Sequence, residues 1–175
     1  PGCPSNTQPR TSNININNTP GQCSGIATWA TPTASDITDN CGIQSVIPDY
    51  TSGSAFPIGT TPVTYTITDV NGLTGTCQFD VTVIDNELPT ITCPAPITVD
   101  CTADIPLSDF TGGSSSDNCP SETVSWEGDV ISNQTCVNKY TITRTYKVTD
   151  ASNNTQTCDQ IITVDDQIAP VITLS

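Results

Sequence analysis

Thr64-Tyr65-Thr66-Ile67-Thr68-Asp69 returns later in the chain as Thr145-Tyr146-Lys147-Val148-Thr149-Asp150, displaced by 81 residues. Other segments recur near the same offset. Val81-Thr82-Val83-Ile84-Asp85 returns as Ile162-Thr163-Val164-Asp165-Asp166, Pro89-Thr90-Ile91-Thr92 returns as Pro170-Val171-Ile172-Thr173, and Cys77 is answered by Cys158. Several independent coincidences at one offset mark an internal repeat. The spacing from Cys23 to Cys41 also equals that from Cys101 to Cys119, 18 residues in each case.

Within each repeat the pattern alternates as a half-buried strand does. Val63, Tyr65 and Ile67 share one parity and threonines the other; Cys77, Phe79, Val81 and Val83 form the next apolar set. The second repeat answers with Tyr140, Ile142, Tyr146 and Val148, then Cys158, Ile162 and Val164, interrupted by Arg144 and Gln160. An unpaired buried cation is too costly, so Arg144 is expected partly buried against Glu127 or Asp129, with a snorkelling edge position as the alternative. Turn signals separate the runs at Thr19-Pro20-Gly21, Ser52-Gly53-Ser54, Val70-Asn71-Gly72, Gly112-Gly113 and Ser152-Asn153-Asn154. About seven short strands per ~80 residues predicts an all-β chain of two immunoglobulin-like sandwiches. The expected domains are 1–86 and 87–168, end to end across the short Asp85-Asn86-Glu87-Leu88-Pro89 junction, with 169–175 as the start of a next repeat or an intersubunit strand.

Composition agrees. Only 34% of the 175 residues are hydrophobic, so the cores are thin, and Lys and Arg together number four against 18 acids. A net charge of −14 disfavours nucleic acid and anionic membranes as partners, and no apolar run reaches membrane-spanning length. Nine cysteines with no His and no CxxC pair point to a disulfide framework rather than zinc, hence to secretion or surface display. Without His there is no Ser-His-Asp or Cys-His arrangement, and no phosphate-binding glycine loop is present. A non-enzymatic protein is expected.

Cys3-Pro4, Pro32-Thr33-Ala34-Ser35-Asp36, Gly53-Ser54-Ala55-Phe56-Pro57-Ile58-Gly59, residues 63–72 and Cys77-Gln78-Phe79 together resemble the hyalin repeat, or HYR, domain. The second repeat resembles the bacterial HYR-like variant through Asp117-Asn118-Cys119, the strand Thr141-Ile142-Thr143-Arg144-Thr145-Tyr146 and the Asp150 loop. The resemblance implies an immunoglobulin-like fold, tandem arrays, an extracellular setting of bacterial style, and adhesive or structural use without catalysis. First and last strands are neighbours in such sandwiches, so Cys3 is expected to pair with Cys77 and Cys93 with Cys158. That leaves Cys23 for Cys41 and Cys101 for Cys119. Cys136 is left unpaired, as a buried thiol, a competitor for Cys158 or a cross-link to another chain.

In an immunoglobulin-like domain the loops carrying Asp117-Asn118 and Asp150 with Asn153 lie at the end where the chain enters, which is where Asp85 and Glu87 arrive. Calcium takes six to eight oxygens in irregular geometry, and these residues are its expected junction ligands. Asp36, Asp39, Asn40, Asp69 and Asn71 at one end, and Asp165 and Asp166 at the other, would form half-sites for intersubunit calcium. The competing reading makes every one of them a turn former with a solvated side chain. The expected partners are copies of the chain or neighbouring repeats, end to end, as in a head-to-tail bacterial surface filament stiffened by calcium. The alternative is a module that binds surface glycans or proteins, with Trp29 or Trp126 as a stacking platform. Trp29 shares the parity of Ala27 and reads as core, whereas Trp126 is ambiguous.

Overall fold

The computed structural model describes residues 13–169 and 171–172. The chain divides into two compact units between Glu87 and Leu88, and each is an immunoglobulin-like β-sandwich. In unit 1 the strands are β1 (Ile14–Asn17), β2 (Ser24–Ile26), β3 (Ile43–Pro48), β4 (Ala55–Pro57), β5 (Gly59–Asp69) and β6 (Thr74–Ile84). A four-stranded sheet in the order β1-β6-β5-β3 faces a small β2-β4 sheet. In unit 2, β7 (Thr90–Thr92), β8 (Ile97–Val99), β9 (Ser114–Ser116), β10 (Thr123–Cys136), β11 (Lys139–Thr149) and β12 (Thr155–Asp165) repeat the plan as β10-β11-β12-β8 and β7-β9. Among the described residues each unit thus has six strands rather than seven.

The repeat is visible in the register. β5 and β6 pair antiparallel with Val63 opposite Phe79 and Tyr65 opposite Cys77. β11 and β12 do the same 81 residues later, with Arg144 opposite Gln160 and Tyr146 opposite Cys158. A short strand runs parallel to the last strand in both units, β1 beside β6 and β8 beside β12. The alternation read from the sequence carries the cores. Val63, Tyr65, Cys77, Phe79, Val81 and Val83 are buried in unit 1 with Ala27 and Phe56. In unit 2, Tyr140, Ile142, Ile162 and Val164 form a smaller cluster, and Tyr146 and Val148 are buried as well. The sheets of unit 1 approach closely at Gly25, where an added Cβ would lie 2.8 Å from the Asn17 carbonyl oxygen; any side chain there would push β2 off β1.

The edge strands differ. β3 stops after six residues at Pro48, just past which Asp49 N makes a last backbone bond to the Thr64 carbonyl oxygen at 3.0 Å. β10 runs for 14 residues along the corresponding edge, exposed over most of its length. No helix among the described residues is long and apolar enough to cross a membrane.

Candidate metal-binding loops

The acidic residues lie in turns at the ends of the long strands, and in most of them a carboxylate oxygen braces its own turn. Asp69 closes β5, with Oδ1 accepting from the Asn71 and Leu73 amides, each at 2.8 Å. Asp150 follows β11 and repeats this with the Ser152 and Asn154 amides, again at 2.8 Å, while its Oδ2 accepts from the Asn154 side chain. The second pair of loops is equally matched. Asp39 Oδ2 accepts from Cys41 N at 2.7 Å and Gly42 N at 2.8 Å, and Asp117 Oδ2 accepts from Cys119 N at 2.8 Å. A short Asp carboxylate bonds backbone N–H groups two to four residues on when the chain curls back on itself, which suits turns and opposes helix or ladder.

In unit 1 the two loops meet, for Val70 N donates to Gly42 O at 3.1 Å. Asp39, Asn40, Asp69 and Asn71 therefore stand at one end of that sandwich. Asp36 lies in the same loop, where Thr33 donates to Oδ2 through both its amide and its hydroxyl at 2.8 and 2.7 Å; these bonds hold its carboxyl below the ordinary carboxylate range. In unit 2, Thr123 pairs with Thr149, so the chain leaving Asp117-Asn118 enters β10 beside the Asp150 turn. Asn153 sits in that turn with a left-handed φ of 70°, a conformation Asn tolerates.

Asp117 differs from the other acids. Its Oδ1 is buried and has no hydrogen-bond partner. A desolvated carboxylate oxygen costs free energy until a donor or a cation reaches it, so this atom fits a calcium ligand. Glu87 fits less well, because both its oxygens accept from the Gly21 amide, at 3.0 and 2.9 Å, and Oε2 also accepts from the Asn18 side chain at 2.7 Å. It clamps the turn after β1. Asp85 is buried and accepts from the Glu87 amide at 3.2 Å. At the other end of unit 2, Asp165 pairs with Lys139 at 3.3 Å and accepts from Gln167 at 2.9 Å. The Gln167 bond first and Lys139 second lower its pKa. Asp166 accepts from the Ile168 amide at 3.0 Å.

The family model described as the HYR domain matches residues 3–83. That stretch lies within unit 1. Among characterised proteins, the chain is 34% identical over 143 residues to the mouse Sushi, von Willebrand factor type A, EGF and pentraxin domain-containing protein 1, covering 79% of this chain and 4% of that protein. Since 79% exceeds either unit alone, the likeness runs through both. Hyalin of Strongylocentrotus purpuratus is 40% identical over 72 residues, 39% of this chain and 6% of hyalin. The chain thus spans only a small fraction of these relatives. Of solved structures, the extracellular cadherin domains 1–4 of protocadherin gamma B7 align over 87% of this chain and 48% of theirs, with a TM-score of 0.33 and 15% identity. The protocadherin gamma B4 extracellular domain aligns over 87% and 31%, with a TM-score of 0.31 and 12% identity.

The cysteines of the HYR-matching unit and of unit 2 follow the expected framework only in part. Cys93 and Cys158 are joined, with Cα atoms 5.6 Å apart. Cys77 is disulfide-bonded; Cys3, its expected partner, lies outside the described residues. The remaining two pairings are corrected. Cys41 and Cys101 carry free thiols, so neither the Cys23–Cys41 nor the Cys101–Cys119 bond is formed, although Cys23 and Cys119 are each disulfide-bonded. Equal spacing within two repeats marks equivalent positions and says nothing of whether two Cβ atoms face one another. Cys136 is free and exposed rather than buried.

The tryptophans also separate. Trp29 packs edge-on against Phe79 at 5.3 Å and donates from Nε1 to the Tyr65 hydroxyl at 2.8 Å, so it belongs to the core. Trp126, on β10, is 50% exposed and donates to Asp129 Oδ1 at 3.0 Å.

Proposed function

We propose that the chain is an extracellular structural and adhesive repeat module, one length of a tandem array in which sandwich follows sandwich. The observation that carries this reading is the Cys93–Cys158 bond. It ties the segment between β7 and β8 to the last strand of unit 2. Tension entering before Cys93 and leaving after Cys158 then bypasses the segment between them, the two cysteines being 65 positions apart. Disulfides of this kind persist in oxidising, extracellular compartments, and the HYR match of residues 3–83 and the likeness to hyalin support adhesive use. The HYR-like style of the second repeat favours a bacterial surface protein as the setting, with copies joined head to tail in a filament.

Calcium belongs to the same proposal. With 18 acids against four cations, the loops carry an excess of carboxylate oxygens, and the unpartnered Asp117 Oδ1 is the atom best suited to a divalent ion. Asp117 and the acids of the matching loops would supply the oxygens, and the ion would stiffen the loops beyond what their own hydrogen bonds provide.

Single-molecule stretching tests both parts. Oxidised unit 2 should yield without releasing residues 93–158, and reduction should add roughly 220 Å of contour, 65 residues at about 3.4 Å each. The force needed should be higher in calcium than in EDTA, and Asp117→Asn should erase that difference. Equal contour lengths before and after reduction would remove the tension-bearing role. Equal forces in calcium and EDTA would remove the ion.

One observation favours a second reading, a module that binds glycans or proteins. Trp126 presents half its surface to solvent on an edge strand, where an aromatic face suits stacking on a sugar ring. Glycan-dependent quenching of Trp126 fluorescence, absent in Trp126→Phe, would support it; no response across a glycan panel would end it.

A further inference from the structure

Unit 2 holds two free thiols among its described cysteines, Cys101 and Cys136, and the fold brings their immediate neighbours into contact. Thr102, next after Cys101, donates its amide to Asn138 Oδ1 at 3.5 Å. Its hydroxyl lies 3.4 Å from the Val137 carbonyl oxygen, 3.2 Å from Asn138 Oδ1 and 2.9 Å from the Tyr140 hydroxyl. Val137 is next after Cys136, and Cys136 itself stands opposite Lys139 at the tip of the β10–β11 hairpin. Each thiol is thus one residue from a hydrogen-bonded contact between the two segments. Successive Cα atoms are about 3.8 Å apart, and a disulfide requires Cα atoms within about 7 Å.

We propose that Cys101 and Cys136 are joined by a disulfide that pins the tip of the β10–β11 hairpin to the segment following β8. The hairpin tip can supply the adjustment this needs. The regular pairing of β10 with β11 is interrupted between Ser132 and Cys136, Asn133 takes a left-handed φ of 55°, and Val137 is 76% exposed. An irregular, uncovered tip moves at little cost, whereas the ladder from Thr123 to Ser132 stays in place.

The chemistry is thiol–disulfide exchange with an external disulfide oxidant. The exposed Cys136 thiol, deprotonated, attacks one sulfur of the oxidant, forming a mixed disulfide and expelling one thiolate. Cys101 then loses its proton to solvent and attacks Cys136 Sγ, forming the Cys101–Cys136 bond and expelling the second thiolate. Two thiols give up two protons and two electrons; the oxidant disulfide takes up both electrons and becomes two thiols. Cys101 is the slower partner. Its thiol donates to Asp104 Oδ2 at 2.9 Å, and that bond holds the protonated form and raises its pKa. Cys136 is therefore the residue that meets the oxidant. Cys158 does not compete, since it is bonded to Cys93.

The bond would close a loop of 35 residues containing β9 and β10, the long exposed edge of the sheet. It would also give Cys136 a role that has no counterpart in the first repeat, where the aligned position is Ala55.

The test uses the whole chain, equilibrated with oxidised glutathione, blocked with iodoacetamide, and digested without reduction by a protease cutting at Asp. Mass spectrometry should find a peptide pair linked through Cys101 and Cys136. Cys101→Ser and Cys136→Ser should each lower the melting temperature of unit 2 by a similar amount, about 10 °C, with the double variant no lower than either. The proposal is overturned if both cysteines are alkylated after oxidation, if Cys136 links two chains on a non-reducing gel, or if the two substitutions add. The peptide map needs only the unaltered chain, so it decides even if a variant fails to fold.

Discussion

At matching places in the two repeats stand Val63 opposite Phe79 and Arg144 opposite Gln160. Each residue is 81 from its counterpart, and all four are buried. In unit 1 the pair is apolar, and Trp29 lies edge-on over Phe79. In unit 2 the guanidinium makes a two-pronged bond to Asp129, Nε to Oδ1 at 2.9 Å and Nη2 to Oδ2 at 2.8 Å. Its Nη1 donates to the carbonyl oxygens of Pro106 and Leu107 at 3.0 and 3.1 Å, while Gln160 donates to the Ala95 carbonyl oxygen at 3.0 Å. The same frame thus accepts either chemistry, on the condition that every buried donor of the polar version finds an acceptor. An apolar core stabilises by its volume. A polar core stabilises little by itself and is expensive to break.

The two tryptophans let the contrast be measured, since Trp29 reports on unit 1 and Trp126 on unit 2. The largest effect should come from Phe79→Ala. It removes a fully packed ring under Trp29 and should cost unit 1 about 4 kcal/mol. Gln160→Ala at the matching place removes one neutral hydrogen bond and should cost unit 2 about 1 kcal/mol. Denaturant titrations followed at each tryptophan give both numbers. Similar losses at the two positions would mean that unit 2 depends on tight packing as much as unit 1 does.

Next in size is Asp129→Asn, which leaves Arg144 buried beside an uncharged amide and should cost unit 2 about 3 kcal/mol. Replacing both, Asp129→Asn with Arg144→Met, should recover most of that loss. The pair also sets a pH dependence. Arg144 holds the Asp129 carboxyl below its ordinary range, with the Trp126 bond assisting. A group whose pKa is lower folded than unfolded stabilises the fold above its unfolded pKa, and that stability is lost as pH falls through the folded pKa. Unit 2 should therefore weaken as pH falls below the usual carboxylate range. Glu127, bonded to Lys147 and Ser125, adds in the same direction, though it is solvent-screened. Asp129→Asn should flatten this acid limb at the Trp126 signal and leave the Trp29 signal unchanged.

What the sequence made legible was periodic and local. Two-residue alternation placed Tyr65, Val81, Tyr146 and Ile162 in the cores, because parity alone decides which face of a strand a side chain joins. The cost of an unpaired buried cation required an acid beside Arg144, such as Glu127 or Asp129, and Asp129 is the one it holds. What stayed hidden was non-local. Glu87 clamps Gly21 across 66 residues, and nothing in either segment announces it. The equal spacing of Cys23–Cys41 and Cys101–Cys119 suggested bonds that Cys41 and Cys101 do not make, since a repeat interval measures equivalence and not proximity. The acids were ambiguous for another reason: Asp as a turn brace and Asp as a metal ligand use the same residue type in the same loops, and only the direction of each oxygen separates them.

That ambiguity gives the smallest effect and the finest distinction. Asp69 Oδ1 and Asp150 Oδ1 each accept two amide hydrogens, a task that asparagine's carbonyl oxygen also performs. Asp69→Asn should therefore keep unit 1 within about 0.5 kcal/mol of its starting stability, while Asp69→Ala should lose about 1 kcal/mol. Asp150→Ala should lose slightly more, because Asp150 Oδ2 also holds the Asn154 side chain at 2.8 Å. Measured in EDTA, these changes isolate the turn. Repeating them with calcium asks whether the charge matters as well: if Asp150→Asn is neutral in EDTA but costly in calcium, the same carboxylate serves both as brace and as ligand, and if it is neutral in both, the turn is its whole contribution.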